Sequence, residues 1–276
     1  MAQTRVLVGT DGSASSEAAI KWAVAEAAAR GSHLRLVHAF VWPLFPVALG
    51  PSEVAPGLRA AADRIVRESV ELAQKIDPGV KVEGVRVDGF PSPVLIEASR
   101  QADLLVIGSR GLGGTLSVLA GSTGLDLAAN AHCPVVVVRR HRPGEAGTRV
   151  VVGYDGSPAS IAALDFGLAH ARRHGLAVRV VAVQPPHTDH DRVSQPDLAT
   201  EVHSREGGLE AELVHVDGHP AEQLLRLSAD AKLVAVGSRG RGGFTGMLLG
   251  SVSQALLHHA DCPVAVIPHA VVESRG

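Results

Sequence analysis

Two glycine-rich segments of this chain have residue types and a spacing that suit the binding of a phosphate group. Both follow the pattern Gly-x2-Gly-x9-Gly-Ser, which comprises Gly108, Gly111, Gly121 and Ser122 in the first segment and Gly237, Gly240, Gly250 and Ser251 in the second. Glycines let backbone N–H groups approach an anion without an intervening side chain. A Gly-Ser pair at a helix start directs unpaired N–H groups and the positive end of the helix dipole at the ligand. The pattern indicates a phosphate site in each half. The alternative interpretation is an ordinary turn followed by a serine N-cap.

Charged residues near these segments extend the candidate sites. An aspartate lies in each of two matching runs, Asp11 in Val8-Gly-Thr-Asp-Gly-Ser13 and Asp155 in Val152-Gly-Tyr-Asp-Gly-Ser157. A carboxylate there can accept hydrogen bonds from ribose hydroxyls or contribute to the coordination of Mg²⁺. The alternative is an Asp-Gly turn in which the side chain bonds its own backbone. Two arginines inside the glycine pattern could reach phosphate oxygens, or could simply be solvated loop residues: Arg110 and Arg239.

The chain of 276 residues consists largely of two copies of one repeated unit. Val8 aligns with Val152 at an offset of 144 residues, whereas Cys133 aligns with Cys262 at an offset of 129. The second half is therefore 15 residues shorter, and the loss falls between about residues 40 and 85 of the first half. A duplicated chain of this length predicts two domains, which we place at residues 1–141 and 148–270. The linker is a proline- and glycine-bearing segment at 141–148.

Apolar runs alternate with helical periodicity in each half, which predicts an α/β fold. In the first half the predicted strands are Arg5–Gly9, Leu34–His38, Val82–Val87, Leu104–Ile107 and Val135–Val138, and the predicted helices are 14–30, 58–76, 92–101 and 122–131. Continuous apolar strands of this kind favour a parallel sheet that is covered by helices on both faces. The expected architecture is two tandem Rossmann-like sandwiches of five parallel strands each. Ligands of such sheets bind beyond the carboxyl ends of the strands, here at the loops after strands one and four.

The region between strands two and three differs between the halves. The second half has the polar, proline-broken segment 184–196 where the first half has a predicted helix. This composition predicts a loop rather than a packed helix.

The composition excludes several classes of protein. The net charge is −2 and no run of five or six like charges occurs, so we expect no nucleic acid partner. No apolar run approaches the length of a membrane span and the amino terminus lacks a secretory pattern, so we expect no membrane association and a cytoplasmic location. Cys133 and Cys262, one in each repeat, are predicted to be small buried hydrophobic residues rather than a disulfide or metal pair.

The combination of motifs resembles the universal stress protein family in its tandem, ATP-binding form. Val-Gly-x-Asp-Gly-Ser, the glycine pattern and Cys-Pro-Val-x-Val together carry the resemblance in both halves. It implies an adenine nucleotide alpha hydrolase-like fold that binds one ATP per domain together with Mg²⁺. The glycines and the following serine would hold the phosphates, with Thr123 beside Ser122. Asp11 and Asp155 would lie by the ribose and metal, and the backbone near Ala39 and Val183 would meet adenine.

The sequence favours a regulatory nucleotide-binding protein over a fast enzyme. Phosphoryl transfer needs a phosphate-facing cation, a held metal and a residue that orients the nucleophile. None of the four lysines lies in a glycine segment, and we expect most of the fourteen histidines to be surface residues. The leading hypothesis is an ATP-dependent switch in a stress or dormancy response, with slow hydrolysis at most. The alternatives are a weak ATPase or adenylate-handling enzyme, and an interaction module whose pocket binds no nucleotide.

The last strand of each half predicts how the halves associate. Val135–Val138 and Val264–Ile267 are apolar runs at one edge of each predicted sheet, and open apolar edges are usually covered. A two-fold arrangement of the halves would cover both edges. The family resemblance implies the same pairing within the chain, and often a homodimer of chains. A regulatory protein partner is a further expectation.

Overall fold

A computed structural model describes residues 5–42, 51–109, 122–139, 147–184, 195–241 and 248–273 of the chain. In the first half, strands and helices alternate along the chain. They are β1 (Arg5–Gly9), α1 (Ala14–Arg30), β2 (His33–Phe40), α2 (Pro51–Ile76), β3 (Val82–Asp88), α3 (Pro91–Ser99), β4 (Leu104–Gly108), α4 (Ser122–Asn130) and β5 (Val135–Val138).

The second half repeats this order and adds a short terminal helix. Its elements are β6 (Arg149–Gly153), α5 (Pro158–His174), β7 (Ala177–Gln184), α6 (Gln195–Glu206), β8 (Ala211–Asp217), α7 (Pro220–Ser228), β9 (Ala231–Gly237), α8 (Ser251–His259), β10 (Val264–Ile267) and α9 (His269–Glu273). The predicted linker at 141–148 lies mostly outside the described residues.

The ten strands found in the described residues belong to one sheet, in the order β3-β2-β1-β4-β5-β10-β9-β6-β7-β8. Within each half every pairing is parallel. The chain winds outward from β1 through β2 to β3, and then returns to the other side of β1 with β4 and β5. The direction of winding therefore reverses between β1 and β4, and likewise between β6 and β9, which is where open α/β sheets bind their ligands.

The two halves are joined by their last strands. β5 and β10 pair antiparallel, with Val137 opposite Val264 and Val135 opposite Val266. All four residues are almost fully buried. The prediction that the last strands cover one another is confirmed, and it explains the apolar runs: each strand has a neighbour on both sides and helices above and below.

The helices form a layer on each face of the sheet. One buried cluster contains side chains of α1, α5 and α6, such as Ile20, Leu164 and Leu198, against one side of the strands. The other contains side chains of α3, α4, α7 and α8, such as Leu127 and Leu256, against the opposite side. The α/β sandwich predicted from the sequence is confirmed. None of the helices in the described ranges combines the length and the apolar character that a membrane span requires.

The sequence prediction for the region between β7 and β8 needs correction. Most of the segment 184–196, which was predicted as a loop in place of a helix, lies outside the described residues, but α6 begins at Gln195 near its end, and its Leu198 and Val202 are fully buried. The second half thus keeps a shorter helix, because two apolar residues one turn apart suffice to anchor it on the sheet. Of the described histidines, His38 and His170 are buried and the others are half-buried or exposed.

Candidate functional site

In the second half, one carboxylate joins the loops that follow β6 and β9. Asp155 Oδ1 accepts a hydrogen bond from the backbone N–H of Ser157 at 3.0 Å, and Oδ2 accepts one from the backbone N–H of Arg241 at 2.9 Å. Gly240 lies so close to Oδ2 that an added Cβ would clash with it. The glycine predicted from the spacing therefore has a physical reason, which is the close approach of a carboxylate to the backbone.

The guanidinium group of Arg241 lies directly above the same loop. Gly156 has φ +76°, and a Cβ at this position would overlap Nη2 of Arg241. The Asp-Gly pair thus serves two purposes: the glycine permits the left-handed turn and leaves room for an arginine, while the aspartate fixes that arginine's backbone. A negative and a positive group are consequently held side by side at the carboxyl ends of adjacent strands.

The beginning of α8 faces this loop pair. Gly250 is the N-cap of α8, and no side chain among the described residues caps the helix there. The backbone N–H of Gly250 donates to the carbonyl of Ser238 at 2.8 Å, which ties the helix start to the exit of β9. Ser253 Oγ donates to the carbonyl of Gly237 at 2.7 Å and closes the same connection. Ser251, the first residue of α8, is exposed.

The last glycine of strands β4 and β9 is pressed against the first turn of a helix. A Cβ on Gly108 would lie 2.5 Å from the carbonyl oxygen of Ser15 in α1. A Cβ on Gly237 would lie 2.6 Å from Cβ of Ala159 in α5. The first glycine of each predicted phosphate pattern therefore brings the strand end and the helix start together.

The described part of the first site follows the same plan. Asp11 Oδ1 accepts from the backbone N–H of Ser13 at 3.0 Å, and Gly12 has φ +78°. Ser122 is the first residue of α4, with Thr123 next to it. Arg110, Gly111 and Gly121 lie outside the described residues, so the predictions for them stay predictions. Arg239, their partner in the repeat, is described and directs Nε towards the carbonyl of Leu248 at 3.4 Å.

The residues predicted to meet adenine lie at the carboxyl ends of the second strand in each half. Ala39 is aligned with Val87 of β3, and Val183 is aligned with Val216 of β8. Each is half-buried. β2 and β7 are the neighbours of β1 and β6, so both residues lie at the same end of the sheet as the loops that contain Asp11 and Asp155.

The surroundings of the first site contain polar contacts that the sequence analysis missed. His38 Nδ1 lies 2.8 Å from the carbonyl oxygen of Thr10, and Thr10 Oγ1 lies 2.9 Å from Ser69 Oγ of α2. The repeat places Tyr154 where the first half has Thr10. Burial is the main cause that raises the pKa of Tyr154, so its phenol is neutral near pH 7.

Arg241 was also missed, although one signal could have found it. Within the repeated glycine pattern, the position of Arg241 is occupied in the first half by Leu112. A change from leucine to arginine inside an otherwise repeated loop marks a place where the two sites differ in charge.

Comparison with known proteins identifies the family of the chain. The sequence model of the universal stress protein family matches residues 3–139 and 147–268. The chain belongs to the universal stress protein family. A universal stress protein of Mycobacterium tuberculosis strain H37Rv is 36% identical over 288 residues, covering 96% of this chain and 97% of the relative. One of Mycolicibacterium smegmatis is 33% identical over 293 residues, covering 95% and 96%.

The fold of the full chain also has a counterpart among solved structures. The crystal structure of a universal stress protein from Archaeoglobus fulgidus covers 96% of this chain and 96% of its own, with a TM-score of 0.76 and 21% identity. The match extends over both halves, so the tandem arrangement of this universal stress protein is found in an experimental structure.

Proposed function

We propose that the protein is an ATP-binding regulatory protein, a nucleotide-dependent switch in a stress response with slow hydrolysis at most. The observation that carries the proposal is the junction of Asp155, Gly240 and Arg241 at the point where the winding of the sheet reverses. Backbone N–H groups, a helix start and an arginine there suit an anionic ligand with a hydroxyl-bearing part.

Each residue has a distinct task in this proposal. The unpaired N–H groups at the start of α8 and the guanidinium of Arg241 would bind phosphate oxygens. Asp155 would accept hydrogen bonds from the ribose. The strand ends near Ala39 and Val183 would lie against adenine.

The residues also fit a magnesium ion that accompanies ATP. Both oxygens of Asp155 accept a backbone N–H, and each retains a second lone pair, so the carboxylate can provide one oxygen ligand. Mg²⁺ usually takes one or two protein carboxylates and completes its shell with phosphate oxygens and water. In the first half Asp11 would take this task. The ion would neutralise phosphate charge, and Asp11 and Asp155 would orient it.

The proposal is tested by calorimetric titration of nucleotide-free protein with ATP and Mg²⁺. Wild type should bind one ATP per half. Gly121→Glu and Gly250→Glu should each remove one of these sites, because a carboxylate at the helix start repels phosphate. Gly57→Glu is the matched control, since the space around Gly57 in α2 is open and its substitution should leave both sites intact.

The outcomes separate the alternatives. Unchanged binding in both site variants would refute the phosphate role of the glycine pattern, and absence of binding by the wild type would leave an interaction module. Steady hydrolysis at rates typical of enzymes, on the order of 1 per second or faster, would contradict the regulatory role.

A further inference from the structure

A compact cluster of metal-ligating side chains lies between α1 and α5, on the helix layer and away from the loops of the candidate nucleotide sites. It consists of Glu26 from α1 and His170 and His174 from α5, whose ligand atoms all lie within 4.8 Å of one another. The side chains of Glu26 and His170 are 1% and 4% exposed, and that of His174 is 25% exposed. Because Glu26 belongs to the first half and the two histidines to the second, the halves of the chain meet at this cluster.

The two oxygens of Glu26 have different neighbours. Oε2 accepts a hydrogen bond from His174 Nε2 at 2.7 Å and lies 2.9 Å from His170 Nδ1. Oε1 is held by Arg30 Nε at 2.5 Å and by Arg173 Nη2 at 3.1 Å. One oxygen is thus fixed by arginines while the other faces two imidazole nitrogens, which is how a carboxylate that binds a metal through one oxygen is usually supported.

The orientation of His170 adds a second observation. Its Nδ1 is buried and points at Oε2, yet it has no hydrogen-bond partner with suitable angles among the described residues. The ring is stacked on Trp22 at a centroid distance of 5.6 Å and lies parallel to Phe166 at 6.4 Å. The packing therefore holds a ring nitrogen in a position that leaves it without a satisfying partner, although buried polar atoms normally have one.

We propose that Glu26, His170 and His174 form a binding site for a divalent transition-metal ion, with Zn²⁺ as the best match. Two histidines four residues apart on one helix present their nitrogens on the same face, the spacing found in helical zinc sites. Two imidazoles and one carboxylate are a common three-residue ligand set for zinc, with water in the fourth position. Imidazole also suits copper and nickel, whereas Mg²⁺ and Ca²⁺ prefer sets made of oxygen alone.

Charge and access shape the expected affinity. Arg30 and Arg173 repel a cation, but both contact the oxygen of Glu26 that the metal would not use. His174 is partly exposed and provides a route from solvent into the cluster. Removal of Arg173 should therefore tighten binding, because Arg30 still fixes Oε1 when the second opposing charge is gone.

The consequence of binding is a cross-link between the halves. Glu26 belongs to α1 and the histidines belong to α5, so an ion would connect helices that are 144 positions apart in the repeat. At the repeat positions of Glu26 and Arg30 the second half has His170 and His174. The duplicated helices thus face each other with complementary residues, and a metal bound only by the folded chain would stabilise the tandem arrangement.

The test uses full-length protein without a histidine tag, titrated with ZnCl₂ in slightly alkaline buffer, because metal binding competes with protons for imidazole nitrogens. Calorimetry should detect one Zn²⁺ per chain. At a 100-fold excess of free Zn²⁺ over the dissociation constant, the melting temperature should rise by roughly 5 °C or more. His170→Ala and His174→Ala should each lower the Zn²⁺ affinity by at least about tenfold, because even the loss of a residue that only hydrogen-bonds to a metal ligand costs that much. Arg173→Ala should raise the affinity. His259→Ala, an exposed histidine of α8, is the matched control and should bind like wild type.

A spectroscopic readout locates the ion independently of stability. In a Trp42→Phe background the remaining tryptophan is Trp22, which stacks on His170. Cu²⁺ bound at the cluster should quench its fluorescence, and His174→Ala, whose partly exposed side chain makes misfolding a small risk, should abolish the quenching. The proposal is overturned if wild type takes up no Zn²⁺, if His174→Ala binds and quenches like wild type, or if the control loses the ion.

Discussion

The two halves of the chain share a backbone frame but differ in what surrounds each candidate site. Ser13 caps α1 by accepting from the backbone N–H of Ser16, and Ser157 caps α5 by accepting from that of Ser160, both at 3.2 Å. The two helices also end alike, with a left-handed C-cap glycine at Gly31 (φ +61°) and at Gly175 (φ +62°). Repetition has therefore preserved the residues that set the path of the backbone between strand and helix.

The contents of the sites have diverged. In the first half α2 has 26 residues, and its Ser69 contacts Thr10 beside Asp11. In the second half α6 has 12 residues, and Tyr154 and Arg241 flank Asp155. The two halves thus share the strand and helix ends that position the candidate sites but differ in the side chains around them. Substitutions at the shared positions should act equally in both halves, and substitutions of the differing side chains should act in one.

The largest effect is expected at the strand ends. Gly108→Ala and Gly237→Ala place a Cβ within 2.5 to 2.6 Å of the first turn of α1 or α5. Because the obstacles include backbone atoms, we expect each variant to lose about 1–3 kcal/mol of unfolding free energy. Urea denaturation measures this loss.

The matched control for these variants is Gly124→Ala. A Cβ there would lie 3.6 Å from Ile107, in ordinary contact, and alanine favours a helix. Its effect should be neutral or stabilising by up to about 1 kcal/mol. If Gly108→Ala or Gly237→Ala alone proved harmless, the two halves would not share this part of the frame.

A tenfold effect confined to one half is expected at Arg241. Arg241→Ala keeps the backbone N–H that donates a hydrogen bond to Asp155 but removes the guanidinium group above Gly156. Loss of one charged hydrogen bond to phosphate costs about 1.5 kcal/mol, so ATP affinity of the second site should fall about tenfold. The affinity of the first site should not change. Calorimetry fitted with two classes of ATP site measures the two affinities separately, and Arg226→Ala of α7 is the control. Equal weakening of both sites would show that Arg241 acts on the fold and not on one pocket.

The sequence predicted the frame well because local rules determine it. Short apolar runs and helical periodicity depend on neighbouring residues, and the duplication gave each element a second instance. The pairing of the last strands could also be inferred, since Val135–Val138 has no polar face to present to solvent.

Other features depend on contacts between distant residues and could not be inferred. Glu26 and His170 are 144 positions apart, and no local pattern in either helix predicts their contact. The retained helix α6 was missed because, among its residues whose side chains are described, Leu198 and Val202 are the buried ones. Arg241 was overlooked because a solvated arginine and one fixed above a glycine turn look the same in a sequence.

A smaller and equal loss is expected at the two serine caps. Ser13→Ala and Ser157→Ala remove the side-chain acceptor at the start of α1 and α5. Each should cost about 1 kcal/mol of unfolding free energy, the usual value for an N-cap. The replacement by threonine, which retains the hydroxyl, should restore most of it. Unequal losses, measured in urea, would indicate that one of the helices is held mainly by its packing.

The smallest perturbation is the chemical modification of the two cysteines, which probes whether the halves open equally. Burial is the main cause that raises the pKa of both Cys133 and Cys262 to about 12. A raised thiol pKa leaves fewer thiolates at a given pH, and at pH 8 only about 1 in 10,000 would be ionised. Native protein should therefore react slowly with a thiol reagent, with both residues alike, and rapidly in denaturant. Faster labelling of one cysteine would mean that its half opens locally while the other stays closed.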